Sequence, residues 1–333
     1  MGKLIIKGSF VALITPFNKN GKIDLDGFKT LIDFQATNDT SAVLIMGSTG
    51  EVSTLSIEER QEIISKTLKY KSGEMLQLYG CTGNTTQATI EMVKYAADEG
   101  ADGAIITVPS YMVPSVEAAI RYYIEVADAS SIPIGIYNNP TRVGTDLPAE
   151  AIIKLADHPN IIIDKEAMGR ANQISKILAA KKDISLMCCD SPNLGLIIPV
   201  MALGGHGTAN VSGNVAPQEM AIISKPWESF EDALNCRETY LKISPLLFFN
   251  YSNINPVPIK SLMKALGLPA GDLRKPNLNM DIQALGFGIK IVKELGLNEK
   301  YHFFIPEELI PQDTSQTFSS ESTSLSASPK CST

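Results

Sequence analysis

The 333 residues are 44% hydrophobic and 20% charged, enough apolar material for a large core in one wide domain or two smaller ones. A formal charge of -7, from 36 acidic and 29 basic side chains, offers no general attraction to polyanions and argues against nucleic-acid binding. No run approaches the roughly 20 apolar residues that span a bilayer, and the opening MGKLIIKGSF lacks the apolar core of a signal segment, so a cytoplasmic protein without a membrane partner is expected.

In chain order, short apolar or β-branched runs recur: FVALIT from Phe10, AVLIM from Ala42, MLQLYG from Met75, GAIITV from Gly103, IPIGIYN from Ile132, IIID from Ile161, ISLMCC from Ile184 and GTANVS from Gly207. The last is weak on propensity alone. Segments of helical period separate most of them, at 56–71, 86–99, 115–127, 148–156 and 171–180. Ser56 followed by Glu59 reads as a capping box, and Gly100 as a helix end. Runs apolar on both sides suit parallel strands covered by helices. Polar clusters follow many successive runs, as in GSTGE, TGNT, YNNPTR, KEAMG and DSP. An open doubly wound sheet concentrates its site at a switch point, whereas a closed barrel gathers the ends of all its strands. The expected fold is therefore an α/β TIM (β/α)8 barrel over 1–226, with a helical C-terminal region over 227–310 packed on it. Residues 311–333, rich in Ser and Thr, are expected to form a flexible tail.

Candidate chemistry clusters at the strand ends. Lys165 follows the run Ile161 to Ile163, where an amine drawn partly out of water can attack a ketone and form an imine; a surface lysine paired with Asp164 or Glu166 fits the same position. Tyr137 occupies the corresponding end of the preceding run, where a phenol can relay protons or merely pack. The GSTGE loop offers amides and the hydroxyls of Ser48 and Thr49 to a carboxylate, or is an ordinary tight turn. Arg142 is suited to a second carboxylate through its guanidinium fork, or to a salt bridge at the rim. Asp190 and His206 read as structural. Five cysteines and three isolated histidines show no metal-ligand spacing, and neither a metal nor another cofactor is expected.

Together GSTGE, YNNPTRVG, KEAMG, LGGHG and NPVPIK resemble the dihydrodipicolinate synthase and N-acetylneuraminate lyase family of lysine-dependent aldolases, from about Lys7 to Gly296. The resemblance implies an eight-stranded barrel, usually assembled as a homotetramer or dimer of dimers. It assigns Lys165 to the Schiff base with pyruvate, Tyr137 to proton shuttling, and Tyr111 to a neighbouring subunit's site, linked to Tyr137 through Ser48. It places Thr49, Gly47, Arg142 and Ala209 at the substrates. Arg142 points to the synthase branch, which condenses pyruvate with L-aspartate 4-semialdehyde. The alternative is a related pyruvate-forming aldolase or dehydratase acting on a 2-keto-3-deoxy sugar acid, 4-hydroxy-2-oxoglutarate or N-acetylneuraminate. Ser48 stands where synthases usually carry threonine, Met168 replaces another threonine, and Asp164 fills a position normally apolar. Ser110 and Ala88 stand where lysine-inhibited synthases carry a tyrosine and a glutamate, which implies insensitivity to free lysine.

Overall fold

The computed structural model describes residues 5–71 and 73–311, and its eight parallel strands close into a barrel in sequence order. The strands are β1 (Gly8–Ala12), β2 (Ala42–Ile45), β3 (Leu76–Gly80), β4 (Gly103–Ile106), β5 (Ile134–Asn138), β6 (Ile161–Glu166), β7 (Ser185–Cys189) and β8 (Gly207–Asn210). Helices run between and after them: α1 (Leu25–Ala36), α2 (Ile57–Thr67), α3 (Thr86–Glu99), α4 (Val116–Asp128), α5 (Pro140–Val143), α6 (Ala149–Leu155), α7 (Ala171–Ala179), α8 (Ile197–Ala202) and α9 (Pro217–Ser224). A C-terminal set follows, α10 (Phe230–Asn250), α11 (Val257–Ala265), α12 (Ile282–Glu294) and α13 (Leu297–Tyr301). Past Pro311 the expected flexible tail lies outside the described residues.

Strand alternation builds the two apolar layers. Phe10, Ala12, Leu44, Leu78, Ile105, Ile163, Met187 and Ala209 fill the barrel, while Val11, Val43, Tyr79, Ile106, Ile136 and Leu186 pack outward into the core under the helices. The weak eighth run is a strand because of where it must go. A Cβ on Gly207 (φ 148°) would stand 2.1 Å from the Gly8 carbonyl oxygen, so β1 and β8 approach closely enough to close the ring only without a side chain there. That contact also starts β1 at Gly8, two residues before the apolar run that signals it.

Ser56 and Glu59 form the expected capping box on α2, and Gly100 (φ 95°) ends α3 in the left-handed region. The C-terminal helices share an apolar cluster with the barrel: Leu246 and Phe249 of α10, Ile259 and Leu262 of α11 and Ile289 of α12 pack with Ile14, Val211 and Val215. Among the described residues no helix is long and apolar enough to cross a membrane.

Candidate active site

Strand β6 carries one residue more than its neighbour requires. Ile134 pairs with Ile161, but Gly135 pairs with Ile163, which leaves Ile162 as a bulge. Beyond it Tyr137 lies beside Lys165, and Lys165 beside Met187 of β7. Adjacent partners on parallel strands share a face, so the lysine joins the interior layer. Its Nζ stands 4.0 Å from the centroid of the Tyr137 ring, and the residue is only 3% exposed. Tyr137 Oη accepts a hydrogen bond from Asn139 Nδ2 at 2.7 Å. The lysine therefore does not pair with its flanking acids. Asp164 and Glu166 alternate to the outer face, beneath the helices.

The two acids differ. Glu166 accepts from Asn138 Nδ2, from Gln173 Nε2 at 2.6 Å and from the Met168 amide at 2.8 Å; burial pushes its carboxyl up to about 7, with these bonds opposing. Asp164 is completely buried near Tyr123 of α4, and among the described residues neither of its oxygens has a hydrogen-bond partner. Burial first, and then the charge of Glu166, hold its carboxyl well above the usual carboxylate range.

The loop after β2 turns on two left-handed residues that are not glycine, Met46 (φ 59°) and Glu51 (φ 54°), and holds Gly47, Ser48 and Thr49 between them. Its hold comes from outside the loop. Thr15 Oγ1 donates to the Gly50 carbonyl at 2.6 Å, Lys260 Nζ meets Glu51 Oε1 at 2.5 Å, and the Arg274 amide donates to Glu51 Oε2 at 2.9 Å. Lys260 and Arg274 also lie over the Phe17 ring, at 4.0 and 4.2 Å from its centroid. Thr49 is buried and its Oγ1 accepts from Asn255 Nδ2 at 3.0 Å.

Arg142 is exposed at the rim and makes no ion pair among the described residues; its Nη2 donates to the Asn255 carbonyl at 2.8 Å. Ala209, the last but one residue of β8, lies inside the barrel, paired with Cys189 and in the same apolar cluster as Tyr137. Burial pushes the Cys189 thiol up to about 11, which leaves it protonated beside the lysine. Asp190 accepts from the Val211 and Ser212 amides, from Ser212 Oγ and from Tyr251 Oη, and so ties the end of β7 to β8 and to the segment after α10. His206 Nδ1 accepts from the Leu186 amide at 3.1 Å, among the strand starts and away from the lysine. Tyr111 is not brought to the site of its own chain: it is 97% exposed, at φ 73°. Among the described residues no hydrogen bond joins Ser48 to Tyr137.

A family model described as the dihydrodipicolinate synthetase family matches residues 5–294. The chain belongs to that family. A 4-hydroxy-tetrahydrodipicolinate synthase of Geotalea daltonii is 35% identical over 296 residues, 88% of this chain and 100% of its own. The solved dihydrodipicolinate synthase from Aquifex aeolicus matches with a TM-score of 0.82 at 32% identity, over 88% of this chain and 99% of that one. The chloride-inhibited dihydrodipicolinate synthase from Acinetobacter baumannii, complexed with pyruvate, matches with a TM-score of 0.81 at 28% identity, over 88% and 99%. As a dihydrodipicolinate synthetase family member, the chain is an enzyme of the Schiff-base-forming lyase type.

Beside the expected residues stand groups to which the strand-end clusters gave no role: Asn139 on Tyr137, Asn255 on Thr49, and the Glu51–Lys260 pair behind the loop. Asn255 and Lys260 are the first and last residues of NPVPIK, so the motif carried a signal without a role.

Proposed function

We propose that this chain condenses pyruvate with L-aspartate 4-semialdehyde through an imine on Lys165, as a 4-hydroxy-tetrahydrodipicolinate synthase. The observation that carries the reading is one amine, buried in the barrel mouth 4.0 Å from the Tyr137 ring, with a hydroxyl-bearing loop and an arginine both reaching the same Asn255. Lys165 Nζ attacks the keto carbon, water leaves, and the imine forms. Loss of a methyl proton then gives an enamine whose carbon attacks the aldehyde. Tyr137, whose hydroxyl both donates and accepts, carries protons in these steps, and Asn139 fixes its orientation. Thr49 and the amides of 47–49 hold the pyruvate carboxylate, Arg142 holds the carboxylate of the semialdehyde, and Ala209 lines the floor. The exposure of Tyr111 supports a role in the site of a second copy, in a dimer or a dimer of dimers.

Borohydride reduction in the presence of pyruvate tests the reading. One reduced adduct on the wild-type chain, absent from Lys165→Ala, is expected, followed by efficient turnover of aspartate semialdehyde in a panel of aldehydes. Trapping with a sugar-derived aldehyde as the only acceptor would redirect the substrate assignment.

A further inference from the structure

The segment between α10 and α11 reaches the loop after β2 through Asn255. Asn255 Nδ2 donates to Thr49 Oγ1 at 3.0 Å across 206 positions of sequence, and its carbonyl takes a hydrogen bond from Arg142 at 2.8 Å. Among the described residues its own Oδ1 is buried without a partner, and the side-chain amide's one hydrogen bond is the bond to Thr49. Leaving a buried acceptor unpaired is costly, and such costs persist where a site requires them.

The direction of the bond decides what Thr49 can offer. A hydroxyl has one proton and two lone pairs. Because the amide donates to Oγ1, the threonine's proton is left over for an incoming acceptor, and a carboxylate oxygen is the strongest acceptor a keto acid brings. A carboxylate at position 255 would reverse this, drawing the proton toward itself and setting a like charge beside the substrate.

We propose that Asn255 is a positioning residue: its side-chain amide sets Thr49 as a donor to the keto-acid carboxylate, while its carbonyl anchors Arg142 on the acceptor side. The inference rests on the pyruvate reading above. The C-terminal segment thereby forms part of the specificity apparatus as well as a cover for the barrel.

Steady-state kinetics of Asn255→Asp, Asn255→Ala and Thr49→Val, alone and combined, provide the test, with pyruvate trapping on the wild-type chain as the control. Asn255→Asp should raise the KM for pyruvate at least tenfold with a smaller change in kcat, and Asn255→Ala should raise it less. Adding Thr49→Val to Asn255→Asp should cost little more, because both remove the same donor. If Asn255→Asp does not fold, the same non-additivity between Asn255→Ala and Thr49→Val carries the test. An unchanged pyruvate KM in a folded variant, or full additivity with Thr49→Val, overturns the proposal and leaves the lysine chemistry standing. Absence of trapping in the wild-type chain overturns both.

Discussion

Asp164 sits where a carboxyl gains least from its surroundings: inside the helix layer, without a hydrogen bond, two residues from a second buried acid. Burial favours its neutral form, so its folded-state titration lies above its unfolded one. A carboxyl shifted in this direction contributes fully below its unfolded value of about 3.9 and loses that contribution as pH rises through the folded one, at up to about 1.4 kcal/mol per pH unit. Asp164→Val should therefore be the more stable protein at pH 8, by about 1–3 kcal/mol, with a smaller advantage at pH 4.5. Urea unfolding at both pH values measures it; an identical difference at the two would show that the residue does not titrate across that range.

At the scale of elements, two devices place the chemistry. The first is the bulge at Ile162. With the pairing of Ile134 and Ile161 continued without it, Tyr137 would lie beside Asp164, and the lysine would face the helices. The second is the clamp on the loop after β2. Burial pulls the Lys260 ammonium down to about 8, with Glu51 opposing, and the ion pair is fully enclosed. Removing one member strands the other charge, which typically costs about 3–5 kcal/mol, whereas removing both costs less. Chemical denaturation of Lys260→Met should show that loss, and Glu51→Gln combined with Lys260→Met should recover part of it. Equal destabilisation by the single and double variants would mean that the pair is not coupled.

For the whole molecule, the site of one chain is incomplete on the proposed reading, because Tyr111 points into solvent together with Met112 and Val113, 71% and 56% exposed. A twofold interface makes each chain lend to its partner what it borrows. Tyr111→Phe and Lys165→Ala should each be nearly inactive alone, whereas co-expressed chains should recover activity, since a mixed dimer holds one site with both an intact lysine and an intact tyrosine. Activity assays on co-purified mixtures check this. No recovery would show that Tyr111 does not serve a partner's site, and full activity of Tyr111→Phe alone would place it outside the reaction.

The sequence by itself determined the alternation of eight apolar runs with helical segments, the polar residues at their ends, and the candidacy of Lys165, Tyr137, Thr49 and Arg142, because periodicity and strand-end position are local properties of the chain. Only the tertiary structure decided which way Lys165 faces, since one unpaired residue in a neighbouring register inverts the parity of a strand. It alone also brought Asn255 to Thr49 and Lys260 to Glu51, across 206 and 209 residues, because hydrogen bonds between distant segments depend on where the closed barrel and its C-terminal helices set them in space.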